Sequence, residues 1–94
     1  MAGWFVYIAR CADGTLYTGI STDVPRRIEA HNRGRGSKYT ASRRPLALAY
    51  VVDAIDRSAA SRLEREIKRL TREEKLALIA AAREVPGSAR SSRA

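Results

Sequence analysis

Apolar and polar positions along this chain fall into short blocks that can be assigned one at a time. Residues Trp4 to Cys11, WFVYIARC, form a nearly continuous apolar run rich in aromatic and β-branched types, the pattern of a well-buried strand. Asp13-Gly14 follows, a strong hairpin signal, and Thr15 to Ser21, TLYTGIS, is the returning strand. Asp23 fits a helix N-cap and Pro25 its first turn, so a helix is predicted through Ile28 to about Asn32. Gly34 and Gly36 end it, and the polar, basic stretch 35–45, RGSKYTASRRP, reads as a loop or short turn. Leu46 to Asp53, LALAYVVD, is a third strand. Arg57 to Leu70 places Ala60, Leu63, Ile67 and Leu70 along one helical face. Thr71 to Glu74 is a capping box that starts a further helix, with Leu76, Ile79 and Ala80 inward. The order β-β-α-β-α-α predicts an α+β fold, a small three-stranded antiparallel sheet flanked by helices. One domain is predicted over 1–85. Residues 86–94 have no apolar anchor and read as a disordered tail.

Charge sharpens the picture. Eighteen Lys and Arg against ten Asp and Glu give a formal net charge of +8 on 94 residues. Arg90 and Arg93 lie in the tail, but most of the excess lies in the body, so a polyanion is the expected partner and nucleic acid the first choice. Cys11 is the single cysteine, which excludes an internal disulfide and a cysteine-based zinc cluster. The longest apolar stretch is far short of a membrane span and no signal sequence opens the chain, so the expectation is a cytoplasmic protein without membrane attachment.

Four features bear on chemistry. Tyr7 and Tyr17 sit one on each arm of the hairpin. A strand tyrosine on its own is usually a packing residue, and the turn decides whether these two share a face. A two-residue Asp13-Gly14 loop pairs Tyr7 with Ile20 and sends the hydroxyls to opposite faces. A three-residue loop with Gly14 left-handed pairs Cys11 with Thr15 and Tyr7 with Gly19, and puts both hydroxyls on one face. The sequence permits either. On the first helix, Val24, Arg27, Ile28 and His31 fall on one side. Arg27 is costly to bury unpaired and belongs at the core margin, aimed at an anion, whereas a lone His31 is as readily a hydrogen-bonded structural residue. Lys38, Tyr39, Thr40, Arg43 and Arg44 interleave basic, aromatic and hydroxyl groups in a way that suits a nucleic-acid backbone, or else form a solvated loop. Glu64 and Glu66 flank the apolar stripe of the long helix on opposite sides, and periodicity does not choose between them.

Taken together these residues resemble the GIY-YIG nuclease superfamily. Its GIY element looks like Phe5-Val6-Tyr7 and its YIG element like Tyr17-Thr18-Gly19. The family's catalytic arginine follows the second tyrosine by ten residues, which lands on Arg27. The string Thr22 to Asn32, TDVPRRIEAHN, together with Gly36 to Thr40 and Arg43-Arg44-Pro45, is similar to the small stand-alone bacterial branch (YhbQ-like). That branch places its metal-binding glutamate three residues before Ile-Lys, here Glu64 before Ile67-Lys68. Phe5 replaces the family's usual Gly, and Thr18 its Ile or Val; both positions are non-catalytic. The resemblance covers about residues 4–80.

The resemblance implies an endonuclease that hydrolyses DNA phosphodiester bonds, with repair or recombination as its setting and branched or single-stranded DNA among its substrates. It implies Mg²⁺, with Mn²⁺ as the alternative, held by Glu64 as the only protein carboxylate, which a cation that keeps waters and phosphate oxygens tolerates. Arg27 would hold the scissile phosphate, and a tyrosine would activate water. An unperturbed tyrosine, with a pKa of about 10, is a poor base near neutrality. Tyr7 therefore needs Arg27, the metal or His31 beside it, with Tyr17 orienting water or phosphate, and the two tyrosines could exchange roles. The rival readings are a non-catalytic nucleic-acid-binding module of the same fold and a subunit active only with a partner protein.

Overall fold

A computed structural model describes residues 3–84. Seven elements run in the order β1 (Trp4–Arg10), β2 (Leu16–Ser21), α1 (Val24–Asn32), α2 (Lys38–Ala41), β3 (Ala47–Ala54), α3 (Arg57–Lys68) and α4 (Arg72–Glu84). The strands form one antiparallel sheet in the order β2-β1-β3. The predicted α+β architecture is therefore present, with one addition: the short α2 lies inside the stretch read as a loop. Its N-cap is Ser37, whose side chain accepts from the Thr40 N–H. A four-residue helix is too short to show a period, so hydrophobic patterning does not reveal it. The predicted tail at 86–94 lies outside the described residues.

β1 is central, which explains its nearly unbroken apolar run. Val6 and Ile8 face one layer with Ala60, Ile67 and Ile79, while Tyr7, Ala9 and Cys11 face another with Val24 and Leu46. The sheet thus separates α3 and α4 on one side from α1 on the other. On α4, Ile79 is buried and Leu76 and Leu78 are half-buried, but Ala80 is exposed. The expected inward role of Ala80 is taken by Leu78. The predicted capping box is formed: Thr71 N–H donates to Glu74 Oε1 at 2.8 Å, and Glu74 N–H donates to Thr71 Oγ1 at 3.1 Å.

The hairpin turn adopts the three-residue form. Gly14 has φ 88°, and Cys11 N–H donates to the Thr15 carbonyl at 2.8 Å. Asp13 selects this turn locally, since its Oδ1 accepts from Thr15 N–H at 3.1 Å and from Thr15 Oγ1 at 2.7 Å. Tyr7 is consequently opposite Gly19 and Ala9 opposite Tyr17. Because side chains alternate along strands, Tyr7 and Tyr17 share the α1 side of the sheet. Asn32 then ties the end of α1 to the start of β3, donating from Nδ2 to the Leu46 carbonyl at 3.0 Å and accepting the Leu46 N–H at 2.6 Å.

Candidate active site

The site grows from Tyr7 at the middle of the sheet. Its ring lies over Gly19, where a Cβ would stand 2.7 Å from the Tyr7 hydroxyl. Any side chain at position 19 would push the tyrosine aside. The phenol is 1 % exposed, and its Oη is 2.9 Å from His31 Nε2. Burial, followed by the neighbouring Tyr17 and more weakly Glu64, pushes the Tyr7 pKa up to about 12 against a downward pull from the Arg27 guanidinium. Arg27 therefore sits beside the hydroxyl, and no carboxylate among the described residues forms an ion pair with it.

His31, fully buried on α1, is held from both ring nitrogens. Nε2 meets Tyr7, and Nδ1 is 2.8 Å from Thr40 Oγ1. Burial, then the positive charge of Arg27, lowers its pKa below the ordinary 6.5, so the ring is neutral at neutral pH. Gly36 completes the pocket: a Cβ there would overlap the His31 ring. Tyr17 stands edge-on to His31 with ring centroids 5.1 Å apart and stacks on Tyr39 at 6.0 Å.

The basic loop divides into parts with different jobs. Thr40 was expected among the nucleic-acid contacts, but it has no exposed surface. Its hydroxyl is engaged by His31, Ser37 Oγ at 3.0 Å and the Ser37 carbonyl at 3.2 Å, so it cannot reach a phosphate. Arg43 faces inward as well. Its Nη1 donates to the Tyr39 carbonyl at 2.8 Å, its Cζ lies 3.9 Å from the Tyr39 ring centroid, and its Nε is in charge contact with Asp13 Oδ2 at 3.2 Å. It clamps Tyr39 onto the site. Lys38 and Arg44 remain exposed, Arg44 with only its Nε committed, to the Ala41 carbonyl at 2.7 Å.

Glu64 comes from the opposite face. α3 packs against β1 and β2, and the Glu64 carboxylate is close enough to raise the Tyr7 pKa. It is half-buried and lies 3.3 Å from Lys68 Nζ. Glu66 is exposed and borders a shallow cleft with Arg62, Arg65 and Arg69 on the outer side of α3. The structure thus gathers Tyr7, Tyr17, Arg27, His31 and Glu64 and leaves Glu66 outside. Among the described residues no cluster of three or more metal-ligating side chains exists. One half-buried carboxylate, Glu64, still fits a cation that draws most of its ligands from water and phosphate. Sequence reasoning missed the roles of Ser37, Gly36 and Lys68. The Ser-x-x-Thr spacing at 37–40 is the one signal that could have exposed the first, as an N-cap.

No helix among the described residues is long and apolar enough to cross a membrane. The GIY-YIG catalytic domain family model matches residues 3–77. A UPF0213 protein from Desulfotalea psychrophila is 53% identical over 79 residues, covering 83% of this chain and 72% of that protein. Another from Staphylococcus aureus is 52% identical over 79 residues, covering 84% of this chain and 96% of its own. The solution NMR structure of a UPF0213 protein from Bacillus halodurans is similar to this one with TM-score 0.54 and 38% identity, covering 95% of this chain and 97% of that one. An E. faecalis protein solved by NMR gives TM-score 0.57 at 33% identity, covering 89% and 94%. A family match over most of the chain, with relatives more than half identical over 79 residues, shows that this chain belongs to the GIY-YIG family, a nuclease-type catalytic family.

Proposed function

We propose that the chain is a metal-dependent endonuclease acting on DNA phosphodiester bonds, with DNA repair or recombination as its setting. The observation that carries this reading is the buried Tyr7–His31 contact of 2.9 Å with Arg27 alongside. A tyrosine pushed to about 12 is a useless base unless its own proton has somewhere to go. Neutral His31 supplies that acceptor, and the adjacent guanidinium favours the phenolate as it forms. In the proposed step the water oxygen bonds to phosphorus as its proton passes to Tyr7 Oη. The Tyr7 proton passes to His31 Nε2, and the bond from phosphorus to the 3′ oxygen breaks. Arg27 holds the non-bridging oxygens and offsets charge developing there, and Tyr17 orients water or phosphate. Mg²⁺, or Mn²⁺ in its place, would be held by Glu64 and would stabilise the departing 3′ oxygen when bound.

The Glu64–Lys68 ion pair at 3.3 Å favours a second reading, in which the carboxylate stays occupied and the domain binds nucleic acid without cutting. A panel of single strands, duplexes, flaps and junctions with Mg²⁺ or Mn²⁺ separates the two. The proposal expects cleavage that EDTA abolishes and that Tyr7→Phe reduces by roughly 10² to 10⁴-fold. Metal-independent binding with no cleavage of any substrate supports the second reading, and cleavage that appears only on adding cell extract supports a subunit that needs a partner protein.

A further inference from the structure

Which nitrogen of His31 carries the proton decides whether it can serve Tyr7 at all. A neutral imidazole has one N–H donor and one bare acceptor nitrogen. Thr40 Oγ1 contacts three groups: His31 Nδ1 at 2.8 Å, Ser37 Oγ at 3.0 Å and the Ser37 carbonyl at 3.2 Å. The carbonyl can only accept, so in one arrangement the single Thr40 hydroxyl proton points there and the oxygen lone pairs face the other two. His31 Nδ1 must then donate, which leaves Nε2 bare and facing Tyr7. The opposite arrangement turns the Thr40 proton onto Nδ1 and puts the ring proton on Nε2. The Tyr7 hydroxyl would then be buried with its own proton unmet, since His31 Nε2 is the one acceptor within hydrogen-bond distance of it among the described residues and the adjacent Arg27 only donates. Among the described residues, only the first arrangement gives every proton from Ser37 to Tyr7 a protein acceptor.

We propose that Thr40, itself positioned by Ser37, is a positioning residue that fixes His31 as its Nδ1–H tautomer and so keeps Nε2 free to receive the Tyr7 proton. This deepens the proposed function and rests on it for its catalytic consequence, though not for the tautomer itself. It also gives a physical reason for a buried threonine in an otherwise polar, basic loop, and for Gly36, whose missing Cβ lets that loop close over the ring.

His31 is the one histidine of the chain, so the ring nitrogens can be observed without ambiguity in the ¹⁵N-labelled full-length protein. Long-range ¹H–¹⁵N correlation spectra at a pH where the ring is neutral should show the proton on Nδ1. A proton on Nε2 in the wild type overturns the proposal without any variant being needed. Thr40→Val removes the acceptor at constant size and should move the population toward Nε2–H, while Thr40→Ser should keep the wild-type tautomer. A Thr40→Val protein that remains fully Nδ1–H overturns the role of Thr40. In cleavage assays Thr40→Val should lower kcat by roughly tenfold or more with little change in KM, and Thr40→Ser should restore it. An equal loss in both variants overturns the positioning role. Absence of cleavage by the wild type would count against the proposed function and leave the tautomer result to stand or fall alone.

Discussion

Thr18 buries its hydroxyl with no hydrogen-bond partner among the described residues. It sits opposite Ile8, on the sheet face that packs against α3. An unmet hydroxyl in such a layer costs about 1–3 kcal/mol, and valine has nearly the same shape. Thr18→Val should therefore stabilise the fold by about 1 kcal/mol, read as a higher urea midpoint at unchanged m-value. Titration sets a second test at this scale. The folded-state pKa of Tyr7 is raised from 10.0 to about 12. Its contribution to stability is thus complete below pH 10 and is lost as pH climbs through about 12, where only the unfolded chain ionises readily. For His31 the folded value is lowered from 6.5, so its contribution is complete above pH 6.5 and is lost as pH falls below it, when the unfolded ring gains a proton first. Unfolding measured across pH should show a plateau between these limits. Tyr7→Phe should flatten the alkaline fall, by about 3 kcal/mol at most. An unchanged alkaline arm in that variant would mean that another group causes it.

At the scale of the element, α3 carries a controlled comparison. Glu64 and Glu66 lie on one helix two positions apart, yet the first is half-buried with its charge felt at Tyr7, and the second is exposed among outward arginines. Glu64→Ala should abolish cleavage and leave DNA affinity equal or tighter, because it removes negative charge from a surface facing phosphates. Glu66→Ala should stay within a few-fold of wild type, since an exposed change there costs under about 0.5 kcal/mol of stability. Circular dichroism should show both variants folded. A dead Glu66→Ala beside an active Glu64→Ala would shift the proposed ligand by two residues. Periodicity could not make this choice, because both glutamates border the apolar stripe; the family motif made it. Elements with strong local chemistry were the legible ones: the central strand from its unbroken apolar run, α4 from its capping box, α1 from Asp23 and Pro25. The hairpin was half legible. Asp13-Gly14 announced a turn, but the register came from the carboxylate folding back onto Thr15. Least legible was the 35–45 stretch. Its polarity implied solvent, whereas Thr40 is polar in order to meet a buried histidine nine residues away, a contact that composition does not encode.

For the molecule as a whole, the excess of 18 basic over 10 acidic residues leaves open which face meets DNA, and two basic surfaces among the described residues can be set against each other. One is beside the site, where Lys38 and Arg44 are exposed. The other is the outer side of α3, with Arg62, Arg65 and Arg69. Salt dependence distinguishes them, because each phosphate contact releases counterions and adds roughly 0.9 to the slope of log K against log salt on duplex DNA. If substrate lies over the tyrosines, replacing Lys38 and Arg44 with Ala together should reduce the slope by up to roughly 1.8, while replacing Arg62, Arg65 and Arg69 should leave it unchanged. Arg43→Ala should behave differently from both. Its guanidinium is committed to Tyr39 and Asp13, so its loss should loosen the aromatic ring over Tyr17 and lower affinity with less change in slope than either exposed residue gives. The reverse pattern, a slope that responds to the α3 arginines and ignores Lys38 and Arg44, would place DNA on the far side of the sheet. There neither Arg27 nor Tyr7 could touch the scissile phosphate, and the catalytic reading would fail on geometry alone.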